Sequence, residues 1–364
     1  MAKRWKVIFE PKLDPRFLSF LLNRIDAFAH FLREMPMAPG EREELDRLNI
    51  IRAIRGTTGI EGNRLDEELI EEVLIRHDDT PLSLEEQEVL NAEAVMKYIR
   101  SRKPMPYMKL TETIIKEIHA QITLDCNYKG NVIGEYRTTN VRAGAYICPS
   151  AGDVGRLMRE FTEFINSSES LTMHPVVRAV ISHFYLVAIH PFTDGNGRTA
   201  RAAEAYLLYH GGYSRAGFYS LANYYYKHRG EYVDEMDKAM FEHNGSLRNF
   251  VLFALEGFES EMEDRYRETN IYIRKLAYRQ YLDELVRKEM ITPRLAGVLT
   301  RMSDDGIKLR TDHFKQRVLP WLAETYRGLS ERSVRHDLTI MRKLNLVYDT
   351  KGIIRVDYHA VEPR

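Results

Sequence analysis

Cysteine is almost missing from this chain: of 364 residues only Cys126 and Cys148 carry a thiol. That excludes a disulfide framework and a cysteine-built zinc site, and it fits a reducing cytosol. Net charge is missing too, since Lys+Arg and Asp+Glu both total 53. The chain as a whole therefore has no field that would select nucleic acid or a membrane surface. There is no long apolar run. The most apolar stretch, Val176 to Phe192, is interrupted by Arg178 and His183 and is too short and polar to span a bilayer. Behind Met1 stand Lys3, Arg4 and Lys6, where a secretion signal needs an apolar core. No internal repeat or low-complexity tract is visible. These absences lead us to expect a soluble, cytoplasmic protein with no membrane partner.

What is present is helical periodicity. At this length two or three domains are expected, because single cores stop growing near 250–300 residues. Phe17, Leu18, Leu21, Leu22 and Ile25 share a helix face, as do Leu45, Leu48, Ile51 and Ile54. A helix over 66–76 has Asp66 as N-cap, and further helices are predicted at 84–102, 111–124, 153–166, 174–189, 196–210 and 247–285. Residues 134–149 break the pattern with β-branched and aromatic side chains around a glycine, and read as a short hairpin ending at Pro149. The last seventy residues change character. Helices near 292–303 and 312–326, a third from Glu331 to Leu344 capped by Ser330, and a hairpin over 347–356 follow the order of a winged helix. From 292 to 364 there are fourteen Lys/Arg against nine Asp/Glu, so this end carries +5 and the remainder −5. The fold class expected is mainly α, with a flap hairpin and a small C-terminal winged helix-turn-helix domain. The expected boundaries are an N-terminal helical region 1–105, a core 106–290 and a C-terminal domain 291–364.

The chemistry concentrates in residues 190–201, His-Pro-Phe-Thr-Asp-Gly-Asn-Gly-Arg-Thr-Ala-Arg. An apolar helix precedes this run and another helix begins within it, so a glycine-rich turn sits at a helix N-terminus. Free N–H groups and the positive end of the helix dipole make that an anion site. Gly195 and Gly197 permit positive φ and close backbone approach. Arg198 and Arg201, three apart, can fork onto two phosphate groups. A carboxylate beside phosphates is repulsive unless a divalent cation intervenes, so Asp194 points to Mg²⁺. His190, with an ordinary pKa near 6.5, suits proton abstraction at neutral pH. Taken singly, each residue reads better as a cap, a turn or a satisfied core histidine. All eight specified positions together would recur by chance on the order of once in tens of billions of sites at average residue frequencies. The parts are those of phosphoryl or nucleotidyl transfer.

This run resembles the signature of the Fic family, His-x-Phe-x-(Asp/Glu)-Gly-Asn-Gly-Arg-x-x-Arg, at every specified position. Leu110 to Ile122 with His119, the Gly134-Glu-Tyr-Arg segment and the Pro175 helix are also similar, so the likeness covers roughly residues 40–290. Cys148-Pro149-Ser150 departs from the consecutive prolines frequent in relatives. The resemblance implies a protein adenylyltransferase in which a target Ser, Thr or Tyr hydroxyl attacks the α-phosphorus of ATP and pyrophosphate leaves. His190 is then the general base, Phe192 packs the loop, and Asp194 holds Mg²⁺. Gly195, Asn196 and Gly197 cradle the α/β-phosphates, Arg198 clamps the β-phosphate and Arg201 the γ-phosphate. The hairpin 134–149 corresponds to the flap on which the family docks target backbone as an added strand.

Residues 57–63, Thr-Thr-Gly-Ile-Glu-Gly-Asn, read alone as a helix ending after Gly56 followed by a polar turn. Beside a Fic core they resemble the family's inhibitory helix, which implies that Glu61 pairs with Arg201 in place of the γ-phosphate. The tyrosines at 224, 225, 226 and 232 lie where relatives cover the adenine. Tyr232 is the expected ATP contact, and a plain aromatic core layer is an equal alternative. In the C-terminal domain Arg332, Arg335, His336, Arg342, Lys343, Lys351 and Arg355 fit either DNA, through 330–356, or a docked protein. The competing functions are a DNA-binding regulator with a nucleotide-sensing core, a transferase using UTP, CDP-choline or GTP, and removal of AMP. The sequence leaves the target and the oligomeric state open, a homodimer included.

Overall fold

The helices predicted from periodicity form, and their ends follow local chemistry. The computed structural model describes residues 3–361 apart from 36, 38, 77–80, 106, 214–219 and 243–245. The order is strand β1 (Lys3–Arg4), then α1 (Ser19–Glu34), α2 (Pro39–Ile60), α3 (Glu67–Ile75), α4 (Leu84–Ser101) and α5 (Glu112–Ile122). Strands β2 (Arg142–Ala143) and β3 (Tyr146–Ile147) follow, then α6 (Ala151–Ile165), α7 (Ser168–Thr172), α8 (Pro175–Ile189) and α9 (Asn196–His210). Helices α10 (Ala222–Lys227), α11 (Arg229–Phe241) and α12 (Arg248–Arg287) come next. The Asp66 side chain caps α3 by accepting the Leu69 N–H, and Ser83 with Glu86 forms a capping box on α4. Helix α8 starts with Pro175 at its first turn, where no amide is needed, and is buried on all faces. It packs along α9 at the centre of a core that also takes in Ile54, Ile118, Phe161, Phe184, Phe192 and Phe250.

The chain divides into two compact units, residues 1–265 and 266–364. The division falls inside α12 rather than at 290/291, because Tyr278, Leu282 and Leu285 at the end of that helix belong to the second hydrophobic core. Nor do residues 1–105 form a core of their own: Ile51, Ile54, Val89 and Val95 join the same cluster as α8 and α9. The second unit contains α13 (Pro293–Asp304), β4 (Leu309–Arg310), α14 (Thr311–Gln316), α15 (Pro320–Thr325), α16 (Glu331–Lys343), β5 (Val347–Thr350) and β6 (Ile353–Val356). Its antiparallel sheet has the order β4-β6-β5. The single helix expected over 312–326 is two. Arg317 ends α14 in the left-handed region and Pro320 starts α15, so one helix cannot run through. Among the described residues no helix is long and apolar enough to cross a membrane.

The hairpin predicted at 134–149 is real but small. Arg142 pairs with Ile147 and Ala143 with Tyr146, around a turn in which Gly144 has φ +59°. It is not alone, since β1 adds to the other side of β3 in parallel, Lys3 opposite Tyr146, giving the order β1-β3-β2. The helix carrying the second motif runs further than a turn at Gly56 would allow. Residues 57–60 are the last turn of α2, and Glu61 stands just beyond it.

Candidate functional site

Helix α8 ends at His190, which adopts φ 53°, ψ 59° and still donates its N–H to the Leu186 carbonyl. That left-handed cap turns the chain sharply into the loop 190–195. His190 Nδ1 lies 3.2 Å from the Val187 carbonyl. A carbonyl can only accept, so Nδ1 carries the proton and Nε2 is left as the basic nitrogen. Burial holds the imidazole pKa below its ordinary value against the opposing pull of the Val187 carbonyl; Arg137 lowers it further, and Glu61 and Asp194 raise it.

The loop is fixed from three sides. Asn196 accepts the Phe192 N–H at 2.8 Å and donates its amide to the Phe192 carbonyl at 2.9 Å. Its side chain is thus a staple for the loop, and only its backbone is available to a phosphate. Phe192 is fully buried and stacks on His119 with ring centroids 3.7 Å apart. His119 accepts the Gly134 N–H on Nδ1 and donates from Nε2 to the Asp194 carbonyl at 3.1 Å. Burial lowers its pKa to about 4, so it is a neutral hydrogen-bonding bracket. On the flap side Arg137, 3% exposed, donates to the carbonyls of His190, Thr139 and Pro149. Tyr146 adds a bond to the Ala188 carbonyl. Flap and histidine loop are therefore one block.

Gly195 caps α9 with φ +72°, and a Cβ there would fall 2.9 Å from the Thr123 methyl. Both facts require glycine. Asp194 turns Oδ1 back onto the Gly195 N–H at 2.6 Å and onto Arg198 at 3.2 Å, while its side chain stays 46% exposed. Among the described residues no group of three or more His, Cys, Asp or Glu could hold a metal. One outward carboxylate at a phosphate cradle suits Mg²⁺, which is commonly held by one or two carboxylates plus phosphate and water.

Both arginines are buried and engaged. Arg198 donates to Glu88 Oε1 at 2.8 Å and to the Tyr128 hydroxyl, and its guanidinium lies over the Tyr128 ring. Burial works against its charge, but Tyr128 and Glu88 outweigh it and the pKa is raised. Glu88 also accepts from the Asn63 amide at 2.9 Å, which ties the turn after Glu61 to the same hub. Arg201, 2% exposed, donates to Thr57 Oγ1 at 3.0 Å, to the Thr57 carbonyl at 2.9 Å and to Glu61 Oε1 at 2.6 Å. The Glu61 carboxylate reaches the first turn of α9: a Cβ on Gly197 would meet its Oε1 at 2.3 Å. Burial would raise the Glu61 pKa, yet Arg201, with Arg198 and His190 behind it, pulls it below the usual carboxylate value.

His190, Asp194, Gly195, Gly197, Arg198, Arg201 and Glu61 thus converge on one anion cradle that already contains a carboxylate. Tyr232 lies elsewhere. It is 6% exposed, stacked on Tyr225 at 4.7 Å and bonded to His183 at 3.0 Å, in a core layer behind Arg201. Tyr224 packs on His228, and Tyr226 covers Arg55. Glu88 and Tyr128 were not singled out by the sequence, and Arg137 stood there only as part of the Gly134-Glu-Tyr-Arg segment, with no sign of its clamping role.

Residues 109–208 match the family model described as Fic/DOC family. A protein adenylyltransferase Fic from Culex quinquefasciatus is 32% identical over 223 residues, which is 58% of this chain and 41% of that protein. A protein of the same name from Nematostella vectensis is 31% identical over 189 residues, covering 52% and 42%. The chain thus spans about two fifths of the length of the curated relatives it matches. Among solved structures, Fic-1 from C. elegans (residues 134–508) superposes with a TM-score of 0.59 at 21% identity over 70% of this chain and 74% of that one. A Fic family protein from Desulfovibrio desulfuricans G20 gives 0.57 at 19% identity over 95% and 98%. The helical fold around the motif is the Fic fold.

Proposed function

We propose that this chain is a protein adenylyltransferase that moves AMP from ATP to a hydroxyl of a target protein and of itself, and that Glu61 holds it back. The observation that carries the reading is the single cradle in which His190, Asp194, the glycine turn, Arg198 and Arg201 meet, with Glu61 on Arg201. In the reaction the target hydroxyl loses its proton to His190 Nε2 as its oxygen bonds to the α-phosphorus. The bond from that phosphorus to the β-bridging oxygen breaks, and pyrophosphate departs. The fixed tautomer of His190 and its depressed pKa keep Nε2 free to take the proton at neutral pH. Amides at the start of α9 and the two arginines stabilise charge on the phosphates. Asp194 would hold Mg²⁺, which would supply positive charge against the phosphates and against that carboxylate.

The flap supports target docking at one edge. Strand β3 is flanked on both sides, so of the two strands of the flap hairpin β2 is the one with an edge open to an added strand. Glu61 occupies the place of the γ-phosphate on Arg201, so ATP binds productively only when that pair parts.

We read the second unit as a winged helix that docks protein. In α16, the helix that would enter a DNA groove, Arg335 pairs with Glu331 at 2.6 Å and Arg342 with Asp349. Two of its cations are thereby neutralised within the unit, which argues against counterion-driven DNA binding.

The test is labelled ATP with purified protein and lysate. Label from the α-position entering protein supports transfer of AMP, and entry from the γ-position would replace it with a kinase-like reaction.

A further inference from the structure

The flap sheet has two faces, and the one turned away from the core carries charge that its surroundings do not balance. Tyr146 points inward, 3% exposed and bonded to the Ala188 carbonyl. Side chains alternate along a strand, so its neighbour Ile147 points outward. Arg4 on β1 and Arg142 on β2 are the partners of Ile147 in register. Residues paired across strands share a face, so Arg4, Ile147 and Arg142 form one outward row over all three strands. Exposure also alternates from Arg4 to Val7, with Arg4 and Lys6 exposed and Trp5 and Val7 half-buried. Trp5 lies edge-on against Phe184, which pins this stretch to the core.

The row borders a groove of about 710 Å³ between the sheet and the start of α6. Arg4, Lys6, Arg142 and Arg156 line it, against one carboxylate among the described residues, Asp153. Asp153 is already engaged by the Ser150 hydroxyl at 2.6 Å and by Arg156 at 3.0 Å. Arg156 in turn holds Glu160 at 2.8 Å, so it is neutralised within α6. Arginines elsewhere in the unit are matched in the same way, Arg47 by Glu44, Arg76 by Glu86 and Arg100 by Asp46. Arg4, Lys6 and Arg142 face no carboxylate within ion-pair distance among the described residues. The excess is local, since residues 1–291 together sum to −5. Three unmatched cations thus stand on the face where a strand added to β2 would set every second side chain.

Resting on the adenylyltransferase reading, we propose that this face selects the target: the protein segment that adds to β2 carries Asp or Glu at alternate positions, one of them opposite Arg142. A strand spacing of about 4.8 Å brings that carboxylate within reach of the Arg142 guanidinium. Arg4 lies two strands further on, roughly 10 Å from Arg142 by the same spacing, which is about one Debye length at physiological salt. Arg4 and Lys6 therefore attract an acidic segment more than they grip it, and they disfavour a basic one. The flap is bonded to the histidine loop through Arg137 and Tyr146, so a segment held on β2 has a fixed relation to His190.

Short peptides with a central Ser, Thr or Tyr test this, in three series that place glutamate, glutamine or lysine at every second position. AMP transfer from α-labelled ATP into each peptide, and into lysate proteins, is measured with the full-length protein carrying Glu61→Gly. Peptide affinity is followed by fluorescence anisotropy at low and high salt. The kcat/KM for the glutamate series should exceed that for the glutamine series about tenfold at low salt, mainly through KM, as for a few exposed opposite-charge pairs acting together. The margin should shrink as salt is added. Adding Arg142→Glu with Lys6→Glu should move the preference to the lysine series and leave ATP affinity within about twofold, with thermal unfolding checking the fold. Equal transfer to the three series, or transfer to none of them while lysate proteins are labelled, overturns the selecting face alone. A glutamate preference that survives the double change overturns it as well. Tighter binding of poly(U) than of the glutamate peptides would make the face an RNA surface instead. Label that enters neither peptide nor protein overturns the adenylyltransferase reading along with it.

Discussion

Replacing Glu61 by glycine removes the carboxylate from the cradle and little else. Glu61 stands one residue past α2, and its backbone N–H bond to Thr58 survives the change. Glycine beyond a helix end costs at most about 1 kcal/mol. Arg201 keeps both bonds to Thr57, so the fold should persist. A hydrogen bond between charged groups is worth about 1.5–3 kcal/mol. The Glu61 side chain is 37% exposed, and solvent screening places this pair at the lower end of that range. ATP would no longer have to displace it, which at about 1.4 kcal/mol per decade gives roughly a 10- to 30-fold gain at subsaturating ATP. Realigning the α-phosphorus by about 1 Å can add up to roughly a hundredfold. Self-modification, followed with α-labelled ATP and intact-protein mass spectrometry, should therefore rise by roughly 10- to 3,000-fold. The gain should be absent in Glu61→Gly/Arg201→Ala, because the anchor for the γ-phosphate is lost with its competitor. A folded Glu61→Gly protein with unchanged or lower activity would refute the reasoning and make Glu61 a turn residue or a group that positions water for AMP removal.

Other perturbations separate the parts of the site. His190→Ala should abolish transfer of α-label while leaving ATP affinity within a few-fold, because the imidazole acts on the incoming hydroxyl. The pKa of His190 is depressed, so its basic form persists as pH falls below about 6.5 and is lost only under more acidic conditions. The pH–rate profile for kcat/KM should be level from pH 7 to 8, and a rise there with an apparent pKa above about 6.5 would contradict the buried neutral base. Asn196→Ala deletes two buried loop bonds and should lower stability by about 2–3 kcal/mol in denaturant titrations. A loss below about 0.5 kcal/mol would mean that the loop is held elsewhere. Full-length protein should not shift mixed duplex DNA at low salt, and tight binding that weakens steeply with salt and is cured by Arg332→Glu with Arg335→Glu would reinstate a DNA reader.

Much of the fold was legible because apolar periodicity and capping residues carry local information. Asp66, Ser83 and Pro175 mark their helix starts by their own chemistry. The 190–201 motif was legible because its residues are contiguous, so spacing along the chain maps onto one turn of structure. What could not be read is long-range. Glu88 meets Arg198 across 110 positions, and Asn63 joins the same hub from a third element. Asn196 was expected among the residues that cradle the phosphates, and what the sequence did not reveal is that its side chain closes the loop on Phe192 and leaves only its backbone for that role. Tyr232 looked like a ligand contact only because it is aromatic and lies near the motif. In the structure it is buried against His183 on α8 and Tyr225 on α10.

The misplaced end of α2 has a specific cause. Gly56 and Gly59 look like helix terminators, yet both lie within the helix, because glycine here serves the interface and not the turn. A Cβ at Gly56 would come within 2.5 Å of the Ala222 backbone, and one at Gly59 within 2.6 Å of the Tyr226 ring. The α2 backbone can therefore lie directly against α10, and Arg55 closes the seam by stacking on Tyr226 at 4.7 Å. Close packing without intervening side chains leaves few alternative registers, since sliding the helix by one residue would bring a Cβ into that contact. Thr57 and Glu61 lie four apart on this seated turn, which aims both at the same guanidinium. The glycines that weaken the helix in isolation are thus what sets the Glu61 carboxylate on Arg201, and a tertiary contact overrides local propensity at the position where we propose that the site is switched.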